Sequence, residues 1–277
     1  MKTKVAFFVT FLLLSQQWGH AQDADRTAEA AGQEFLLRAA EYAEYQIEAT
    51  DRLSNQRLDW TLPDGSQASV ALDGIGRIKE FRSGGSSVAV TADVFELAEE
   101  LFYASFSLDD GRRALTLVAD RENGRLMKIE SRRPDPGEGT HMAQVSVSQG
   151  LLNNADGEVE SLSVTDKMAG VRLTAHYADE IAYEHIYLNA QRVTWHGVTG
   201  PEAGFADTEV YDSYEVRDGV FLISWSEKVL TTHMIFLFDF NTGHEIGTIF
   251  GYEPEYDRAV LETIGATIDL VQGPVSY

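Results

Sequence analysis

The chain has 277 residues, with 22 Lys and Arg against 44 Asp and Glu, and a formal net charge of −22 at pH 7. Such a field repels nucleic acid and anionic membrane surfaces, and no basic run offsets it, so neither is expected as a partner. There is no cysteine, which excludes disulfides, a Cys nucleophile and thiolate metal sites.

Residues 1–21 read as a secretory signal peptide. Lys2 and Lys4 form a positive start, VAFFVTFLLL (5–14) is an apolar run, and Gly19-His20-Ala21 offers small residues at a cleavage site. The apolar run is too short to cross roughly 30 Å of hydrocarbon. The expectation is cleavage after Ala21, a periplasmic or secreted protein, and no membrane span. Residues 22–54 predict an N-terminal helix, with Phe35, Leu36, Ala39, Ala40, Ala43 and Ile47 at helical spacing. It would pack on a barrel or plug its mouth, with Tyr42 and Tyr45 as packing residues.

From about Leu58 the hydrophobic period changes to two. Short strands follow, such as RIKEF, LFYASFSL, ALTLVAD and RLMKIESR, separated by Asp-Gly, Gly-Gly and Asn-Gly turns. VFELAEEL (94–101) fits a helix or a strand flank. Residues 55–140 are assigned to a first barrel domain, and 141–165 to a connecting segment after the linker-like RPDPGEGT. Residues 166–277 form a second barrel, its tail a short helix and a closing strand. The fold class is all-β: two tandem antiparallel β-barrels. One large barrel made of two halves is the rival.

Residues 101–125 and 220–244 align without a gap at an offset of 119, with identities at Phe102/Phe221, Ser105/Ser224, Ser107/Ser226, Asp120/Asp239 and Gly124/Gly243. Alternate residues of a strand share a face, so Phe221, Ile223, Trp225 and Glu227 point one way. Their first-copy partners Phe102, Ala104, Phe106 and Leu108 are all apolar, which marks that face as interior. A carboxylate there is costly unless paired, and often marks a site. His233 likewise stands where the first copy has Ala114. In YEHIYLN, the residues Tyr183, His185 and Tyr187 share a face, and Trp195 follows in the next strand. Tyr183, His185, Tyr187, Trp195, Trp225, Glu227 and His233 are therefore the candidate ligand-binding residues, suited to a flat apolar or aromatic molecule held by a few polar contacts. His185, Glu227 and His233 are too dispersed to be a zinc signature, and His244-Glu245 is expected to face solvent. Ser224 and Ser226, which recur as Ser105 and Ser107, read as outward strand positions. With no GxSxG, P-loop or dinucleotide fingerprint, no cofactor is expected.

YEHIYLNAQRVTWHG, GPEAGFADTE and DGVFLISWSEKVLTTHMIFLFDFNTGHEIGTIFG together resemble the C-terminal domain of the molybdenum cofactor biosynthesis protein F (MoaF) family. Residues 55–255 resemble the family in all, most specifically over 177–251. The resemblance implies tandem lipocalin-like (calycin) barrels. His185, Tyr187, Trp195, Gly200, Asp207, Trp225, Glu227 and Gly251 match the family pattern. FLISWSEKVLTTHMIFLF also resembles a stretch of the phenolic acid decarboxylases, which are small calycin barrels. Only the Glu-bearing strand matches, so that activity does not carry over.

Three functions compete. In the first, an exported binding module holds a small apolar or aromatic ligand in its second barrel. In the second, a cofactor-free lyase or isomerase uses Glu227 as general acid or base, with His185 or Tyr183 as proton partner. The third is a non-enzymatic envelope scaffold. The oligomeric state is left open.

Overall fold

The computed structural model describes residues 38–135, 140, 142–152, 161–228, 231–253 and 258–273. The expected signal peptide and residues 22–37 of the expected helix lie outside them.

The first nine strands are β1 (Arg57–Thr61), β2 (Gln67–Leu72), β3 (Ile78–Ser83), β4 (Ser86–Ala92), β5 (Phe95–Ala98), β6 (Leu101–Leu108), β7 (Arg113–Asp120), β8 (Arg125–Arg132) and β9 (Gln144–Leu152). They form one open antiparallel sheet in the order β4-β3-β2-β1-β9-β8-β7-β6-β5. The sheet curls around Trp60, Phe81, Phe102, Phe106 and Leu126 as a half-barrel.

It was expected to close and does not. β5 has only four residues. Ala49 bridges to its Phe95, and the Thr50 N–H donates to the Val94 carbonyl at 2.8 Å. The preceding chain thus pairs at this end of the sheet where β4 would have to pair for closure.

The other eight strands do close. β10 (Arg172–Ala178), β11 (Ile181–Asn189), β12 (Arg192–Thr199), β13 (Ala206–Arg217), β14 (Val220–Ser226), β15 (Thr231–Asp239), β16 (His244–Glu253) and β17 (Arg258–Gln272) form an antiparallel barrel in sequence order. β17 pairs with both β10 and β16. The tail is therefore one fifteen-residue strand rather than a short helix and a strand.

Three further expectations change. Within residues 38–54 there is no long helix, only a 3-10 turn at Ala39–Ala43. The chain beyond it is held by sheets instead: the Tyr45 N–H reaches the Tyr177 carbonyl at 3.2 Å, and Thr50 bonds Val94 as above. Second, β9 falls inside the segment taken as a connector. It pairs with β8 and β1 and joins the two wings of the first sheet. Third, VFELAEEL contains β5.

The repeat explains how the halves meet. Val220 and Leu222 of β14, Ile235 and Leu237 of β15 and Ile246 of β16 point out of the barrel. They pack on Leu101, Tyr103, Val118, Met127 and Ile129 of the first sheet. The recurring strands are therefore buried on both faces. The contact includes polar links: Tyr103 and Ser105 hydroxyls bond Thr248 at 2.7 and 2.5 Å. Ser105 and Ser224 do point away from the interior face, yet both are buried.

The repeated Asp and Gly are turn residues. Asp120 accepts from the Asn123 N–H and Nδ2, while Asp239 accepts from the Asn241 N–H and the Thr242 hydroxyl. Gly124 and Gly243 take φ of 65° and 72°, a left-handed conformation that a side chain would strain.

Candidate functional site

Neighbouring strands alternate in direction, so the β10–β11, β12–β13 and β14–β15 connections share one end of the barrel. A cavity lies beneath that end. The other end is filled by Tyr187, Tyr211, Phe238 and other core side chains. The volume open to the centre of a water molecule is about 50 Å³, several times the roughly 10–15 Å³ that one water needs. The matching interior of the first sheet offers about 10 Å³, lined by apolar side chains and Tyr103. In that copy Phe106 and Leu108 fill the positions of Trp225 and Glu227 and are buried.

β11 contributes Tyr183 and His185, β12 Trp195, β14 Trp225, and Glu227 follows it. All five line the cavity, with Tyr42, Tyr177, Glu202, Thr232, Met234, Phe236 and Ile264. Rings make most of the wall. The Trp225 and Phe236 centroids are 4.9 Å apart, and the His185 ring stands edge-on to both at 5.5 Å. Tyr42 comes down from the 3-10 turn, with its ring 5.5 Å from Tyr177 and 5.9 Å from Tyr183. Its segment sits close because Gly265 has no side chain: a Cβ there would meet the Gln46 Cα at 2.6 Å.

Tyr187 lies beneath the cavity, fully buried, with its ring 6.3 Å from His185. His233 is elsewhere. It neighbours Met234, which faces in, so strand alternation turns His233 out of the barrel. Its Nδ1 is 2.7 Å from the Ser131 hydroxyl of the first sheet. The difference from Ala114 is thus a difference at the contact between halves, and His185, Glu227 and His233 do not converge. No group of three or more His, Asp or Glu able to hold a metal occurs among the described residues.

Several polar groups line the site that the repeat comparison did not single out. The Tyr42 hydroxyl bonds the Tyr183 hydroxyl at 2.8 Å, and Tyr183 donates to Glu202 at 2.9 Å. Burial pushes Glu202 up to about 7. Glu227 accepts from the Trp225 indole N–H at 2.7 Å. Behind it stands Glu209 of β13, which is 1% exposed. Desolvation raises both carboxyls of this Glu209–Glu227 pair; the charge of Glu227 raises Glu209 further, whereas hydrogen bonds from Trp225 and Glu209 offset part of the rise at Glu227. Lys228 binds Asp207 at 2.7 Å and lies 3.6 Å from Glu209.

His185 is held neutral because burial lowers it to about 3. Its Nδ1, the Trp195 indole N–H and the Thr232 hydroxyl are buried with no hydrogen-bond partner. Glu245, expected in solvent, is fully buried. It accepts from the Tyr177 hydroxyl at 2.8 Å and is pushed up to about 8 by desolvation.

Glu209 and Tyr177 were within reach of strand alternation, in EVYDSYEV and VRLTAHYA. Glu202 was not, because it lies on the β12–β13 loop, which folds over the barrel end. The fold-over needs Gly197, where a Cβ would stand 2.2 Å from the Glu202 carbonyl oxygen. Gly197→Ala should therefore displace Glu202 and destabilise the barrel by about 1–3 kcal/mol. Thermal unfolding would measure this, and a melting temperature equal to wild type would contradict the packing described.

Residues 162–273 match the model of the MoaF C-terminal domain. Over 89 residues the chain is 34% identical to Protein MoaF of Klebsiella aerogenes, covering 32% of this chain and 34% of that protein. The chain thus spans about a third of the length of the curated relative it matches. A crystal structure of a Burkholderia vietnamiensis protein, provisionally named a beta-lactamase, aligns with 39% of this chain and all of its own. Its TM-score is 0.34 at 14% identity, a likeness that carries no argument. Residues 162–273, which hold the closed barrel, thus match the MoaF C-terminal domain, and the likeness to the MoaF family is carried by this part of the chain.

Proposed function

We propose that the protein binds a small apolar or aromatic molecule in the closed barrel. The observation that carries this reading is the wall itself: an aromatic cavity in which the His185 Nδ1, Trp195 Nε1 and Thr232 Oγ1 have no partner. Buried polar atoms left unpaired are costly. A ligand with an apolar body and a polar end would satisfy them, with His185 and Glu227 orienting that end. Tyr42 forms part of the cover, so a larger ligand requires the 38–46 segment to move.

Intrinsic fluorescence tests the reading, because Trp195 and Trp225 line the cavity and Trp60 sits in the other core. Titration with a panel of small aromatic acids, alcohols and amines should give a saturable change that Trp195→Phe and Trp225→Phe reduce. No change across the panel, with an unmoved melting temperature, would defeat it. Residues 1–21 add a proposal of export. An envelope fraction holding a chain that begins near Gln22 supports it, and a full-length cytoplasmic chain refutes it.

The Glu209–Glu227 carboxyl pair favours a second reading, a cofactor-free lyase or isomerase. A carboxyl held near neutrality in a dry pocket suits general acid–base work. If so, Glu227→Gln should abolish turnover of a bound molecule while leaving its binding in place. Bound ligand that wild type never converts would exclude it.

A further inference from the structure

Resting on the binding reading above, we propose that the ligand is a small organic cation, an ammonium group carried on a one-ring or similarly compact apolar body. Two features of the same cavity point to positive charge. Its lining includes two carboxyl groups, Glu202 and Glu227, and no Lys or Arg. Its walls include the rings of Tyr42, Tyr177, Tyr183, Trp195 and Trp225, and the electron-rich faces of such rings attract an ammonium ion most strongly where water is excluded. The unpartnered Thr232 hydroxyl and His185 Nδ1, both on residues at most 2% exposed, show that the polar lining is incomplete without an occupant.

An anionic ligand would meet the opposite field. The Lys228 ammonium is taken by Asp207, Glu209 and the Thr208 carbonyl, and does not line the space. A neutral ligand would fill the volume but leave Glu202 and Glu227 uncompensated. Without a cation, the site limits its repulsion by keeping protons on its carboxyls, which burial favours. A bound ammonium would replace those protons. The charged and titratable groups around it are Glu202 and Glu227, Glu209 and Asp207 behind them, Lys228, the neutral His185, and Tyr42, Tyr177 and Tyr183, which burial keeps protonated. Binding should therefore release protons at pH 7 and weaken as pH falls below that value.

Three one-ring probes of similar size separate the possibilities: benzylamine, benzyl alcohol and benzoate, followed by Trp fluorescence and by calorimetry in two buffers of different protonation heat. The expected result is benzylamine binding at least about tenfold tighter than benzyl alcohol, with benzoate not saturating. Its observed heat should differ between the buffers by the protons released. Glu202→Gln and Glu227→Gln should each shrink that preference, with benzylamine losing more affinity than benzyl alcohol, and a wild-type-like far-UV circular dichroism spectrum would show that the variants are folded. Benzyl alcohol or benzoate binding as tightly as benzylamine would overturn the inference and leave the binding reading standing. No binding by any of the three, with an unmoved melting temperature, would overturn both.

Discussion

Arg217→Ala should lower stability by about 3–5 kcal/mol, because it leaves a buried carboxylate without its counter-charge. Asp120 is 1% exposed and bonds the Arg217 Nη2 at 2.6 Å across the contact between the two halves. Arg217 also donates to the Glu99 carbonyl at 2.8 Å and pairs with Glu122 at 3.1 Å. Burial pushes the Asp120 carboxyl up, but the bonds from Arg217 and Asn123 outweigh it and hold the group below its ordinary value. For a chain of this size the loss corresponds to a fall on the order of 10 °C in melting temperature. Adding Asp120→Asn to Arg217→Ala should recover part of it, since no buried charge then remains. A single variant within 1–2 °C of wild type would show that the pair is not a clamp between the halves. The repeat sharpens this prediction: Asp239 caps the same turn in the second copy, and no ion pair is recorded for it among the described residues. The cap is inherited, and the bridge belongs to the contact.

Stability should fall as pH rises from about 6.5 to 8. Glu202 and Glu245 are raised in the folded protein to about 7 and about 8, from an ordinary value of 4.5. A raised carboxyl contributes stability that is fully present below its unfolded value and is lost as pH rises through its folded value. Each group costs about 1.4 kcal/mol per pH unit over that window. His185 and His233 act in the opposite sense. Burial lowers both to about 3, so their contribution is present above the ordinary 6.5 and lost as pH falls. Between 4.5 and 6.5 the two histidines offset Glu202 and Glu245, and the raised Glu209–Glu227 pair leaves a net fall with rising pH. Above 6.5 the carboxyl effect stands alone, and the Glu209–Glu227 pair adds to it. Glu202 and Glu245 alone give an expected fall of about 2–3 kcal/mol between pH 6.5 and 8, read from denaturant unfolding, and the Glu209–Glu227 pair deepens it. Glu245→Gln should remove much of the slope, and a flat profile in wild type would refute the assignment. A cation in the site would flatten the slope from Glu202 while leaving that from Glu245, which does not line the cavity.

Much of the site was legible because strand alternation is a local rule. Once Phe221, Ile223 and Trp225 were read as interior, Glu227 followed, and the same count gave Tyr183 and His185. His233 shows how the rule must be applied. Its difference from Ala114 was real, but its parity relative to Met234 puts it on the outer face of β15. There a second sheet, rather than solvent, buries it. Glu245 misled for a related reason. It follows a turn, where charge usually means solvent, but the next strand carries it into the barrel.

The sequence by itself determined the all-β class, the turns, the duplication and which copy carries polar groups inside. Those depend on period two, on glycines at positive φ and on residue-by-residue substitution, all local. Only the tertiary structure decided that one copy closes and the other stays open. That choice turned on pairing between Ala49–Thr50 and β5, distant partners with no sequence signature. It also decided that Tyr42 and Glu202 complete the site. One reaches the cavity from a segment pinned on Gly265, the other from a loop folded over Gly197. Neither lies on a strand whose alternation could announce it.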